Sequence, residues 1–425
     1  MVRETNRHFK FDWITIFIFF LLVAFGWINI LSASHVGVEV NYLDFSQPYG
    51  KQLIFIGLTF VIIVLLLALD AKSYERFASI IYIVSMLSLV GLFLFGKNVN
   101  GATSWYGIGS FTIQPSEFAK TATALAVAKY ISDLNTDIKK LKDQLRTVMI
   151  LIIPAILVLL QNDTGSTIVY GAFFFVLFRE GLPKTYLYIA LFLITIAILG
   201  LKFWPPSVVG AVAVICLTLY FLNKKKAPLL QMLSLILVSA CIAFGVKYFY
   251  SNILKSHQQD RISLWLRLEK DPKKLEEMKR TFAYNLNESE KAISSGGFTG
   301  RGFMQGTRTT GKFVPEQHTD YIFSTVGEEW GFLGSAFVVI LFVLLILRIL
   351  HLAELQKSQF SRVYGYGVAS IVFMHFMINV GMVMGLIPTI GIPLPMFSYG
   401  GSGLWAFTIL LFIFIKLDSN RINEW

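Results

Sequence analysis

Cysteine is nearly absent: the 425 residues include two, Cys216 and Cys241, both inside apolar runs. That excludes a disulfide framework and a paired-cysteine metal site, and reads both as buried small hydrophobes. Charge is scarce too. Asp, Glu, Lys and Arg make up 15% of the chain against 55% hydrophobic residues, and the mean hydropathy is +0.64. Ordinary soluble domains carry about 25% charged residues, so this composition excludes a mainly soluble protein. No internal repeat is evident. The formal charge of +11 raises nucleic acid as a partner, but the basic residues alternate with apolar runs instead of forming one stripe, which excludes that class.

What is present is a succession of apolar runs long enough to cross a hydrocarbon layer as helices, a length of about 20 residues. The expected fold is all-α, a polytopic bundle with about twelve spans: 12–32, 52–70, 77–96, 117–131, 145–161, 165–179, 184–203, 206–222, 229–249, 321–349, 363–387 and 402–418. The first follows Arg3, Arg7 and Lys10, is too long for a signal-peptide core and lacks a small-residue cleavage site, so it is expected to be retained. Residues 1–425 read as one integral membrane domain with a long extracytoplasmic loop at 250–320 and an extra helix pair at 206–249.

Loop charge orients the bundle. Alternate short loops hold Lys72 and Arg76; Lys139, Lys140, Lys142 and Arg146; Arg179 and Lys184; Lys224 to Lys226; Lys357 and Arg362; and Arg421. The intervening short loops are nearly bare of lysine and arginine. The positive-inside rule then puts both termini in the cytoplasm and the 250–320 loop outside.

The unusual polar residues gather on that outer side. Pro315-Glu316-Gln317-His318-Thr319-Asp320-Tyr321-Ile322-Phe323 sets a carboxylate and an imidazole at a membrane boundary, with Glu328 and Glu329 beyond it. Ionisable groups are costly in hydrocarbon and suggest a site. In loop 97–116, Trp105 reads as an interfacial anchor or a site residue. Gln114-Pro115-Ser116-Glu117 starts a helix, with Glu117 a first-turn carboxylate or a functional group and Lys120 one turn on, spaced to pair with it. Asp163 in Gln161-Asn162-Asp163-Thr164-Gly165-Ser166 reads as a cap or a site. Residues Glu288 to Gly306 are dense in glycine, compatible with exposed amides around a phosphate or sugar. Upstream, Lys270 to Lys279 reads as an amphipathic surface helix. Finally, Pro388 to Pro395 and Phe397 to Gly403 break the helical pattern where only protein or a wet cavity tolerates it.

In order along the chain, Trp105 with Gln114-Pro115-Ser116-Glu117, Asp163-Thr164-Gly165, Ser295-Gly296-Gly297, Pro315 to Phe323 with Gly327-Glu328-Glu329, and Pro388-Thr389 through Ser398 to Ser402 resemble the SEDS family (shape, elongation, division and sporulation) almost end to end. The elongation type fits better than the division type. The resemblance implies a peptidoglycan glycosyltransferase that joins lipid II units on the outer face of the bacterial plasma membrane. Asp320 takes the essential acidic position, and Trp105, Glu117, Lys120, Asp163, Ser289, Arg301, His318 and Ser398 form the expected substrate-binding set. It also implies a class B penicillin-binding protein as partner and no organic cofactor. The departing pyrophosphate calls for Lys120, Arg261, Arg301 or a divalent cation, Mg2+ or Mn2+, whose ligands the sequence does not reveal. Three positions depart from the family pattern: Asn162 for proline, Glu288 for glutamine, and Ser104 for a basic residue that Lys97 would have to replace. The pair at 206–249 looks like an insertion into a ten-span core. Two other classes compete, a flippase for lipid-linked precursors and a non-catalytic scaffold for a transpeptidase.

Overall fold

The computed structural model describes residues 10–35, 41–99, 101–109, 111–222, 229–269, 271–281, 283–315 and 317–421. Arg3, Arg7, Lys224 to Lys226, Lys270 and Glu316 lie outside them. In chain order the elements are α1 (Trp13–Ser34), α2 (Pro48–Ala68), α3 (Ala71–Phe95), β1 (Lys97–Val99), β2 (Ala102–Ile108), β3 (Phe111–Ile113), α4 (Pro115–Ile131), α5 (Leu141–Leu160), α6 (Thr164–Val169) and α7 (Phe173–Arg179). There follow α8 (Lys184–Lys202), α9 (Pro205–Leu222), α10 (Leu229–Asn252), α11 (Ser256–Leu266), α12 (Pro272–Arg280), α13 (Tyr284–Gly296), α14 (Thr307–Thr310), α15 (Ile322–Glu329), α16 (Gly331–Glu354), α17 (Gln359–Val383) and α18 (Gly401–Asn420). Among the described residues, ten of these helices are long and apolar enough to cross a membrane, which makes this a multi-pass membrane protein.

Two expected spans are shorter than that. α4 has 17 residues, and 165–179 is α6 and α7 joined by a 3₁₀ turn at Tyr170–Ala172. The expected span 321–349 is also two helices, because Gly331 takes φ +62 between α15 and α16, a left-handed value that a helix interior does not accommodate. Loop 97–116 folds as a three-stranded antiparallel sheet in the order β1-β2-β3, a small addition to the all-α bundle. Asn98 Oδ1 accepts Gly101 N–H at 3.1 Å to turn β1 into β2, and Gly109 at φ +60 helps turn β2 into β3, with Tyr106 opposite Ile113. Cys241 is exposed on α10, whereas Cys216 on α9 is buried. α10 turns the position of Cys241 outward, so the expected burial holds only for Cys216.

The chain divides into two compact units, Leu182–Tyr284 and the remainder. In the larger unit α4, α17 and α18 form the centre. In α4 every residue but Phe118, Lys129 and Tyr130 is buried, and alanine at 119, 122, 124, 126 and 128 lets α3, α5, α17 and α18 approach closely. α4 is the least apolar of the expected spans because it faces protein, whereas α2 and α3 expose Phe60, Val64, Ile83 and Leu87 as lipid-facing helices do. In the smaller unit α8, α9 and α10 pack about Ile196, Val208 and Ala243, and α11 and α12 follow as polar helices. Asp271 caps α12 by accepting Lys273 N–H at 3.0 Å, so the amphipathic helix expected there starts at Pro272.

The glycine-rich segment does not display its amides. Gly300, Arg301 and Gly302 donate theirs to the carbonyls of Gly296, Glu328 and Glu329, at 2.9, 3.0 and 3.0 Å, closing the end of α13 onto α15. The reading of Glu328 as a site acid is likewise corrected. It is fully buried and accepts Arg308 N–H at 2.9 Å, Thr309 N–H at 2.8 Å and Thr309 Oγ1 at 2.7 Å, so it holds the start of α14. Removing it leaves two amides without acceptors. Glu328→Ala is therefore expected to destabilise this region by about 2–4 kcal/mol, read as a lower melting temperature in detergent and faster tryptic cleavage at Arg301 and Arg308; unchanged melting and cleavage would exclude this bracing role.

Candidate active site

The segment that joins α17 to α18 has no helical hydrogen-bond ladder, so its backbone must find partners elsewhere. Asn379 on α17, fully buried, donates through Nδ2 to the carbonyls of Ile392 and Asp320, both at 2.7 Å. Ser398 Oγ accepts Leu394 N–H at 2.8 Å and donates to the Thr319 carbonyl at 2.6 Å. Tyr399 N–H reaches the His318 carbonyl at 2.9 Å, and Gly400 N–H reaches Gln52 Oε1 on α2 at 3.1 Å. Three consecutive carbonyls are thereby gripped, those of His318 and Thr319 by the broken segment and that of Asp320 by Asn379 of α17.

Asp320 is half-buried, at the turn before α15. Gly391, at φ +79, passes so close that a Cβ there would lie 3.1 Å from Asp320 Oδ2. The His318 and Tyr399 rings lie 5.3 Å apart. Burial pushes the Tyr399 phenol above its ordinary range, so the ring keeps its proton.

Beside this latch lies a cavity of about 200 Å³ lined by Lys51, Trp105, Gln114, Glu117, Thr319, Tyr399 and neighbouring residues. Ser398 also lines it; Asp320, His318, Lys120, Asp163, Ser289 and Arg301 do not. Trp105 is on β2, opposite Lys97 on β1. Ser402 Oγ accepts Gln114 N–H and donates to the Thr112 carbonyl, each at 3.1 Å, which joins β3 and the start of α4 to α18.

Glu117 and Lys120 pair at 2.7 Å, 4% and 2% exposed. Lys120 Nζ also lies 2.8 Å from Nε2 of His375, which is fully buried on α17. An ammonium only donates, so Nε2 accepts and the imidazole proton sits on Nδ1, facing the Pro393 carbonyl at 3.4 Å. The other oxygen of Glu117, Oε2, has no hydrogen-bond partner among the described residues.

Asp163 caps α6 through Ser166 N–H at 2.9 Å and accepts Gln114 Nε2 at 2.9 Å and Ser116 Oγ at 3.2 Å, so capping and site organisation are one role. Ser289 is fully buried and donates to the Val383 carbonyl at 3.1 Å, tying α13 to the end of α17. Arg301 reaches the Ser295 carbonyl and Thr307 Oγ1, at 3.1 and 3.0 Å, and braces the glycine-rich turn. Arg261 belongs to the smaller unit. Glu288 pairs with Lys291 at 2.7 Å and with Arg308.

Sequence reasoning missed Lys51, His375 and Asn379. Lys51 had a visible signal, a lysine at the outer end of an apolar helix where the charge rule leaves few. It lines the cavity, whereas Lys97 and Ser104 do not. His375 and Asn379 stand mid-helix in an apolar run, and only the fold shows which backbone they meet.

Among the described residues no group of three or more His, Cys, Asp or Glu is gathered to hold a metal ion. The donors among the described residues do not make a protein-built divalent site.

The chain matches the FtsW, RodA and SpoVE cell cycle protein family over residues 12–206 and 206–423. It is 30% identical to peptidoglycan glycosyltransferase RodA of Treponema pallidum over 441 aligned positions, covering 97% of this chain and 98% of that one. It is also 30% identical to peptidoglycan glycosyltransferase MrdB of Escherichia coli, covering 90% of this chain and 86% of the relative. Among solved structures, a chain from a peptidoglycan synthase complex that coordinates polymerization and crosslinking superposes with a TM-score of 0.72 at 24% identity, covering 98% and 99% of the two chains. The rod shape determining protein RodA of Thermus thermophilus superposes at 0.62 and 23% identity, with the same coverage. A family match from one end to the other, on a bundle whose broken segment holds the Asp320 turn, places this protein in the SEDS family of FtsW, RodA and SpoVE cell cycle proteins.

Proposed function

We propose that this protein is a peptidoglycan glycosyltransferase of the elongation type, polymerising lipid II on the outer face of the bacterial plasma membrane. The observation that carries the reading is the latch: Asp320 is half-buried instead of sealed in, and its own carbonyl and the two before it are fixed by Asn379, Ser398 and Tyr399. A carboxylate on so fixed a backbone is preorganised to take a proton.

In the proposed step the acceptor sugar hydroxyl gives its proton to Asp320 as its oxygen bonds to the anomeric carbon of the donor. The anomeric carbon–oxygen bond breaks, and undecaprenyl pyrophosphate leaves with the electron pair. Lys51 is the basic side chain among the cavity-lining residues and the natural partner for the departing phosphates. The divalent cation expected from the leaving group would take most of its ligands from the pyrophosphate, since Mg2+ is commonly bound by one or two carboxylates plus substrate phosphates. A class B penicillin-binding protein is the proposed partner, consistent with the polymerization-and-crosslinking complex to which the fold is similar.

Asp320→Asn is expected to lower glycan polymerisation by purified protein supplied with labelled lipid II by about 10²–10⁴-fold, with melting in detergent unchanged; polymer at the parent rate would refute the proton-acceptor role. Lipid translocation in sealed vesicles without polymer would instead favour a flippase.

Gly391→Ala tests the geometry without touching the carboxylate. It strains a left-handed backbone position by about 1–2 kcal/mol and sets a methyl group against Oδ2, and a roughly tenfold loss of rate is expected. Activity equal to the parent would show that the Gly391 approach is incidental.

Lys120→Met strands Glu117 in the bundle and is expected to cost about 3–5 kcal/mol of stability. The double variant Glu117→Gln/Lys120→Met should recover much of that loss in detergent melting experiments. Equal melting of the single and double variants would show that the pair is not coupled.

A further inference from the structure

The smaller unit contains a polar cavity of its own. At about 330 Å³, it is lined by Lys202 at the end of α8, Lys247, Tyr250 and Ser251 near the end of α10, and Ser263 and Glu269 in and after α11. The two lysines share one end of the unit because α8 and α10 pack closely there. A Cβ at Gly200 would fall 2.8 Å from Ala243 Cα, so only glycine allows the approach. α11 closes over the same end. Tyr250 Oη donates to the Gln259 carbonyl at 3.2 Å, and Arg267 at φ +53 ends the helix, with Leu268 N–H returning to the Ser263 carbonyl at 2.9 Å. Glu269 is turned partly to structural use, its Oε1 accepting Asp271 N–H at 3.0 Å.

The surroundings identify the medium. Phe203, Trp204, Tyr248 and Phe249 are exposed beside the lysines, Trp204 at 71%, the signature of an aromatic belt at headgroup depth. Along the membrane from that belt, Leu191 and Ile194 on α8 and Leu233 and Leu237 on α10 are also exposed, an aliphatic surface suited to acyl or prenyl chains. Under the topology expected from loop charge, this end of α8 and α10 lies in the outer leaflet, where the short loops carry almost no lysine or arginine. Retention of cytoplasmic charge therefore does not explain Lys202 and Lys247. Among the described residues neither ammonium forms a salt bridge.

We propose that this cavity is a binding site for a lipid-borne phosphate, with Lys202 and Lys247 on the phosphate oxygens and the lipid tails along α8 and α10. The chemistry is shared by an anionic phospholipid and a polyprenyl phosphate. The site lies wholly within the smaller unit and does not depend on the assignment of Asp320.

The test is native mass spectrometry of the full chain in detergent, titrated separately with phosphatidylglycerol, undecaprenyl phosphate and zwitterionic phosphatidylcholine. Lys202→Gln/Lys247→Gln is expected to weaken binding of at least one anionic lipid roughly thirtyfold, the effect of two lysines at the usual strength of a lysine facing an anionic lipid surface. Lys202→Arg/Lys247→Arg should retain binding, and Lys184→Gln, at the opposite end of α8, should bind as the parent does. Loss for phosphatidylglycerol alone assigns the site to bulk lipid, loss for undecaprenyl phosphate alone to a polyprenyl carrier, and loss for both to the phosphate itself. Parent-like binding of both anionic lipids by the double glutamine variant would overturn the proposal, as would phosphatidylcholine binding equally tightly with the same loss.

Discussion

A peptide group that leaves a helix inside an apolar layer must still be hydrogen-bonded, and that requirement organises the larger unit. The stretch between α17 and α18 carries Pro388, Pro393 and Pro395, has left-handed positions at Gly391 and Met396, and cannot satisfy itself as a helix. Asn379, Ser398 and Gln52 supply the missing partners, and Tyr399 N–H takes the His318 carbonyl. Two of the partners serve twice, because Asn379 and Ser398 each also bind a carbonyl of the Asp320 turn. The price of a broken helix is met by groups that fix the carboxylate. Stability and preorganisation thus come from the same few bonds, and loss of Asn379 would loosen both ends together.

The same demand explains why the central helices are polar and the outer ones are not. Glu117, Lys120 and His375 are admitted to the interior because each is engaged by another: the ammonium donates to the carboxylate and to Nε2. A buried ion pair of this kind contributes little net stability and costs much when broken. Its cost is consistent with a functional position, since Glu117 lines the cavity and its Oε2 has no hydrogen-bond partner among the described residues. Phe407 closes the group from the side of α18, its ring 4.8 Å from that of His375.

Much of this was legible in the sequence for a simple reason. Apolar length marks the spans, and the Glu117–Lys120 spacing marks a helix pair that the fold realises at 2.7 Å. Asp163 could be read as a cap from its place before Thr164, but its second hold on Gln114 joins residues 49 positions apart and has no local trace. The strands at 97–113 were hidden because each is at most seven residues long, too short for an alternating pattern to stand out. Glu328 looked like a site acid because sequence shows a charge at a membrane boundary but not the Arg308 and Thr309 amides that consume it. The glycine-rich turn misled in the same way, the Gly300 amide being taken by the Gly296 carbonyl of α13 and those of Arg301 and Gly302 by the carbonyls at the end of α15.

Charge placement ties the two units to one principle without any contact between them being invoked. In a chain whose short cytoplasmic loops collect lysine and arginine, a cation at the outer end of an apolar helix departs from the pattern and calls for a local reason. Lys51 has one in the cavity beside Trp105 and Thr319, and Lys202 with Lys247 has one in the cavity under α11. In both places the lysine lies with hydroxyl groups and aromatic rings at the rim of lipid-facing helices, the environment in which a phosphate on a long hydrocarbon tail is held by both its parts. A soluble anion would have no use for the exposed leucines, and a neutral lipid none for the lysines, so the pairing of the two surfaces selects an anionic amphiphile.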